Sequence, residues 1–188
     1  MINKKLIIGI TGASGSVYAQ LLLKKLCELQ AQPDEVAMVI SKTAEKVWAF
    51  ELPDVPLLTS PFTRYDPDSF FAPPASGSAG YDAMIIIPCS VGTLGRIAAG
   101  TADDLMSRAA DVMLKERRKL ILILREAPYS RIHIQNMLSV TDAGGIICPA
   151  SPGFYQHPSD ITGLCSTVVD RALSLAGIDT GSKGFMVS

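Results

Sequence analysis

A chain of 188 residues, 48% of them hydrophobic, has material for one well-buried domain and too little for two independent cores. Its formal net charge of −1 offers no general attraction to nucleic acid or to an anionic membrane, so any basic chemistry must be local. No apolar stretch approaches the roughly 20 residues of a membrane span, and the run after Lys4-Lys5 is too short for a signal peptide, so the expectation is a cytoplasmic protein with a single domain over residues 1–188.

The first apolar run, Lys4 to Ile10, passes directly into Gly9-Ile10-Thr11-Gly12-Ala13-Ser14-Gly15. This places small and hydroxyl residues where a buried strand hands over to a helix, a place where backbone N–H groups converge on a phosphate. The spacing G-x-x-G-x-x-G misses the dinucleotide fingerprint, and Gly15 is followed by Ser16-Val17 rather than by the Lys of a Walker A loop. A mononucleotide such as FMN remains, as does a tight turn that binds nothing.

Tyr18 to Leu29 carries Leu21, Leu22, Leu26 and Leu29 on one face and Lys24, Lys25 and Glu28 on another, the pattern of an amphipathic helix. The second run, Val36 to Ile40, ends in Ser41 rather than in an acid for a ribose hydroxyl. Leu52 to Ala79 contains Pro53, Pro56, Pro61, Pro67, Pro73 and Pro74, with Phe70-Phe71 ahead of the Pro pair; so long a connection marks a functional or a disordered loop. The third run, Ala83 to Ile87, leads into Pro88-Cys89-Ser90-Val91-Gly92-Thr93, a second small, hydroxyl-rich turn.

Between Asp103 and Arg118, Leu105, Ala109, Val112 and Met113 form a helical stripe that opens on acids and closes on Lys115, Arg117 and Arg118, as a helix dipole favours. The fourth run, Leu120 to Leu124, is followed by Arg125-Glu126; the fifth, Gly145 to Cys148, by Pro149 to Tyr155; and a terminal helix from Asp160 to Leu175 contains Arg171. Short apolar strands alternating with helices predict an α/β fold, a three-layer open parallel sheet of Rossmann-like or flavodoxin-like type, with its ligand outside the strand C-termini. Cys27, Cys89, Cys148 and Cys165 are too dispersed for a zinc site or a disulfide framework and read as reduced thiols, most of them buried. His133 and His157 show neither triad nor metal-ligand spacing, so no metal is expected.

The ordered set Thr11-Gly12-Ala13-Ser14-Gly15, Ile40-Ser41-Lys42, Ala72-Pro73-Pro74-Ala75-Ser76-Gly77-Ser78, Pro88-Cys89-Ser90, Arg108-Ala109-Ala110-Asp111, Leu114-Lys115-Glu116-Arg117-Arg118, Arg125-Glu126-Ala127-Pro128 and Pro152-Gly153-Phe154-Tyr155 resembles the flavin prenyltransferases of the UbiX type over nearly the whole chain. The resemblance implies a homo-oligomer, a dodecamer in this family, with FMN bound between subunits and the tail from about residue 177 to 188 as a subunit contact. The reaction it implies moves a dimethylallyl group from dimethylallyl monophosphate to N5 and C6 of reduced FMN. The prenylated FMN then serves a UbiD-type decarboxylase. By resemblance, Gly12, Ala13, Ser14, Ser41, Ser90, Val91, Gly92, Thr93 and Arg125 contact the flavin nucleotide, while Lys115, Tyr155, Arg171, Arg108 and Phe70 surround the prenyl phosphate. Glu126 and Ser14 are the candidates for proton handling.

These residue types suit the reaction. Cations and a phenol stabilise a departing phosphate, and an aromatic face shields an allylic cation from water. Many relatives carry Trp where this chain has Phe70, a weaker quadrupole. The competing readings are an FMN-dependent cysteine decarboxylase, against which no histidine precedes His133, and a flavin-binding protein without catalysis, which leaves Lys115, Arg125, Tyr155 and Arg171 without a shared purpose.

Overall fold

The computed structural model describes residues 4–181, and these form six strands, all paired in parallel. In chain order they are β1 (Lys5–Ile10), β2 (Glu35–Ile40), β3 (Thr63–Tyr65), β4 (Ala83–Cys89), β5 (Lys119–Leu124) and β6 (Ile146–Pro149). The helices are α1 (Ser16–Glu28), α2 (Lys42–Glu51), α3 (Val91–Ala98), α4 (Leu105–Lys115), α5 (Arg131–Asp142) and α6 (Ile161–Ala176). The sheet order β3-β2-β1-β4-β5-β6 reverses between β1 and β4, and discounting the short edge strand β3 leaves the flavodoxin arrangement.

Helices on both faces explain the continuous apolar runs. Leu6, Ile8 and Ile10 pack with α1, α6 and the Ala44–Trp48 side of α2, whereas Ile7 faces α3, α4 and Val140 of α5. Strand β4 is buried along its whole length, while β6, with β5 as its sole strand partner, is only half-buried. The sequence reading missed β3, because three residues with exposed Thr63 and Arg64 carry no apolar period. The Pro-rich connection contains two 3₁₀ turns: Pro73–Ala75 docks on α4, with Arg108 Nε donating to the Ala75 carbonyl at 3.1 Å, and Gly77–Ala79 meets Arg118 just beyond that helix.

Gly177 ends α6 in the left-handed conformation at φ 81°, and residues 182–188 of the expected subunit contact lie outside the described residues. Cys89 and Cys165 are buried and Cys27 and Cys148 half-buried; all are free thiols. Among the described residues no helix is long and apolar enough to cross a membrane.

Candidate active site

The crevice lies where β1 and β4 part. Buried Thr11 ties the two strand ends together, its hydroxyl donating to the Pro88 carbonyl at 2.7 Å and accepting from the Ser90 amide at 2.9 Å. The loop Gly12 to Gly15 is thereby held beside the turn that starts α3. Gly12 admits no side chain, since a Cβ there would lie 2.4 Å from Thr43 Cγ2.

The N-terminus of α1 differs from the sequence expectation. Its N-cap, Gly15, has no side chain to close the helix, and the Glu51 carboxylate at the end of α2 does so instead. The Gly15 amide donates to it at 2.9 Å and the Ser16 amide at 2.7 Å. Burial pushes the Glu51 pKa up, but hydrogen bonds from the Ser14 and Ser16 hydroxyls and from the two amides outweigh it, so the carboxyl lies below its usual range. An internal anion therefore occupies the amides that were expected to meet a phosphate. The sequence signal was there in negative form: a helix starting after Gly15 with no acid in its first turn needs a tertiary cap.

Helix α3 offers the open N-terminus. Ser90 is its N-cap, accepting from the Thr93 amide at 3.3 Å, with the Ser90 and Thr93 hydroxyls 3.1 Å apart and Arg96 Nη2 donating to Thr93 at 3.3 Å. Gly92 is exposed, and the nearest atom to a Cβ built on it is Ser90 Oγ at 3.9 Å, so the space over this turn is open. Ser41 caps α2 by accepting from the Ala44 amide at 3.1 Å, and its own amide donates to the Ile10 carbonyl at the end of β1.

Arg125 is fixed by its backbone, whose N–H donates to the Cys89 carbonyl at 3.0 Å, and its guanidinium is exposed at the strand end. It acts on the Tyr18 phenol of α1: burial and the Cys165 thiol push that phenol's pKa up while Arg125 pulls it down. Half-buried Glu126 accepts from the Ala127 amide at 2.9 Å.

Beyond β6, Tyr155 and Arg171 share a cleft of about 480 Å³ with Cys148, Ser151, Thr167 and Asp170. Arg171 is close enough to Cys148 to lower that thiol's pKa, although burial pushes it up more strongly. Sequence reasoning placed these two side chains on separate segments, and the packing of α6 along the sheet face brings them together.

Lys115 and Arg108 are elsewhere. Helix α4 runs back from the crevice to the start of β5, so its last residue, Lys115, sits four positions before Lys119 at the opposite end of the sheet. Arg108 donates to the Ala75 carbonyl and pairs with Asp111, 2.7 Å away, with part of its side chain still exposed. Phe70 remains 45% exposed in the docked loop. Within one copy, then, the predicted residues form a crevice group, a cleft group and a group on α4.

The chain matches the Flavoprotein family over residues 1–173. It is 41% identical over 179 residues to the flavin prenyltransferase UbiX of Methanocaldococcus jannaschii, covering 93% of this chain and 94% of that protein. It is 42% identical over 191 residues to the Pseudomonas aeruginosa protein of the same name, covering 93% and 90%. The chain belongs to the UbiX flavin prenyltransferase family. Among solved structures, AnUbiX (PadA1) in complex with FMN and dimethylallyl pyrophosphate superposes with a TM-score of 0.89 at 40% identity over 95% of each chain. A protein described as a dodecameric FMN-dependent UbiX-like decarboxylase of Escherichia coli O157:H7 superposes at 0.86 with 39% identity, covering 93% of this chain and 95% of that one. A likeness to a PPC decarboxylase, at 17% identity and a TM-score of 0.64, reflects the shared fold alone.

Proposed function

We propose that this flavin prenyltransferase takes dimethylallyl monophosphate and reduced FMN as its two substrates and releases prenylated FMN and phosphate. Two features at the C-terminal end of one sheet carry the reading, each suited to holding an anion. One is the hydroxyl-lined N-terminus of α3; the other is the cleft that holds Arg171 and Tyr155.

The donor set at α3 fits a nucleotide monophosphate. Ser90 and Thr93 supply hydroxyls, Val91 and Gly92 supply the first amides of a helix, Arg125 supplies a planar cation at the next strand end, and Ser41 adds a hydroxyl from the start of α2. Gly12, Ala13 and Ser14 wall the crevice on the β1 side. Reduced flavin, when bound, would supply N5 as the nucleophile that displaces the phosphate at the allylic carbon and C6 as the nucleophile that closes the ring onto the far carbon of the double bond, the alkene gaining a proton and C6 losing one. Arg171 and Tyr155 hold the prenyl phosphate and stabilise the charge that grows on it as the carbon–oxygen bond breaks. Glu126 and Ser14 stand near Arg125 and Glu51 respectively as proton acceptors for the hydrogens lost from the flavin.

Lys115, Arg108 and Phe70 reach this chemistry in a neighbouring copy. The length of the sheet separates Lys115 from the crevice of its own chain, so a homo-oligomer in which the α4 end of one subunit faces the cleft of another completes the site; a dodecamer, as in the Escherichia coli relative, fits this requirement. The product's destination in this reading is a UbiD-type decarboxylase in the same cytoplasm.

Anaerobic incubation with reduced FMN and dimethylallyl monophosphate is expected to yield a flavin heavier by one prenyl unit in mass spectrometry. Unmodified FMN together with loss of CO₂ from a peptidyl or pantothenoyl cysteine would establish the decarboxylase reading instead.

A further inference from the structure

Helix α4 ends in an unusual way. The Arg117 amide donates to the Leu114 carbonyl at 3.0 Å and the Arg118 amide to the Met113 carbonyl at 2.8 Å, the paired bonds of a Schellman turn. The residue at its left-handed position is Arg117, with φ 55°, where glycine is the usual occupant. Successive side chains on a helix diverge by about 100° and do not face one another. Here the turn folds Glu116 back so that its Oε1 lies 2.5 Å from Lys115 Nζ.

Glu116 is fixed from two further directions. Arg118 donates through Nη2 to the Gly77 carbonyl at 2.9 Å and stands 3.9 Å from Glu116 Oε2. The carboxylate also occupies the space where a side chain on Gly77 would stand, since a Cβ there would fall 2.4 Å from Oε1 and 2.7 Å from Cδ. Lys115 is therefore held by a carboxylate that is itself wedged between the 3₁₀ loop and Arg118. The Lys115 ammonium holds the Glu116 carboxyl below its usual range, so Glu116 is a carboxylate at neutral pH.

We propose that Glu116 is a positioning residue for the reaction: wedged against Gly77 and Arg118, it holds the Lys115 ammonium in the one direction in which it meets the prenyl phosphate of a neighbouring copy. The inference rests on the proposed reaction and on Lys115 binding that phosphate. A flexible lysine has many rotamers in solution, and a prearranged one loses less freedom when the anion arrives.

Two variants disturb the wedge differently. Glu116→Ala removes the carboxylate. Gly77→Ala keeps every charged group and pushes the carboxylate aside, and because the atom displaced is the end of a flexible side chain, the cost to folding is small. Each is expected to lower kcat/KM for dimethylallyl monophosphate by about tenfold, with the affinity for FMN unchanged. The deciding measurement is a double-mutant cycle. In a Lys115→Ala background, Glu116→Ala and Gly77→Ala are expected to cost less than about twofold further, because the residue they act through is gone. A full tenfold loss in both backgrounds would show that Glu116 merely stabilises the loop and would overturn the proposal. Unchanged turnover of Gly77→Ala with intact wild-type activity would overturn it too. A wild-type enzyme that leaves FMN unmodified would remove the reaction reading itself, an outcome distinct from additive losses in an active enzyme.

Discussion

Glu51 shows how much one carboxylate changes the reading of a loop. By capping α1 it turns the Gly12 to Gly15 segment from an open anion cradle into a wall whose Gly15 and Ser16 amides and Ser14 hydroxyl are engaged by the carboxylate. Its folded pKa is lowered relative to an unfolded value near 4.3, so its contribution to stability is present above that value and is lost as pH falls through the folded pKa. Glu51→Gln is expected to cost about 1 kcal/mol at pH 7, the size of a lost N-cap, with the deficit shrinking below about pH 4. Urea melts of both proteins across that range measure it, and a pH-independent difference would assign the loss to packing. Glu126→Gln keeps the shape of the side chain and removes a proton acceptor, so bound FMN is expected to persist while product formation slows at least tenfold. Single-turnover flavin spectra follow that step, and wild-type rates would end the role given to Glu126.

At the level of elements, two helix N-termini point into one crevice and only one is open. The difference lies in how each is capped: Ser90 closes α3 from within and leaves its first amides available, whereas Gly15 leaves α1 to be closed by α2. Helix α4 shows the converse at its C-terminus, where Arg117 holds a left-handed turn that glycine would hold with less strain. Arg117→Gly is expected to raise stability by about 0.5 kcal/mol, the relief of φ strain less the added freedom of the unfolded chain. Thermal melts test this, and a lowered Tm would show that the Arg117 side chain itself contributes.

For the molecule as a whole, the proposed reaction makes assembly part of catalysis, because Lys115 and Arg171 are separated within one copy. Lys115→Ala and Arg171→Ala homo-oligomers are each expected to keep only a small but measurable residue of activity. Oligomers assembled from an equal mixture are expected to regain about a quarter of wild-type activity, because a site that draws the two residues from different copies is intact in one arrangement of four. No recovery on mixing would place both residues in the site of a single chain. Half-buried β6 and the exposed Phe71, Phe154 and Ile161 are surfaces that such an assembly would cover.

The order of apolar runs and helical stripes determined the α/β class by itself, since β-branched runs of five or six residues between amphipathic segments bury well only in a sheet covered on both sides. The hydroxyl-rich turns after β1, β2 and β4 and the Arg125-Glu126 pair were legible for the same reason: they sit at strand ends, and the chain direction tells which end. Strand β3 was not legible, because its place at the sheet edge comes from pairing with β2 rather than from its own side chains. Nor was the cap that Glu51 supplies from a position 36 residues beyond Gly15, or the wedge of Glu116 on Gly77. Tertiary structure alone decided which helix N-terminus is free, which predicted cations share a cleft and which lie at the far end of the sheet. Pattern along a chain reports the period of an element, whereas the partner of a charge is fixed by how elements pack across distances that no local period encodes.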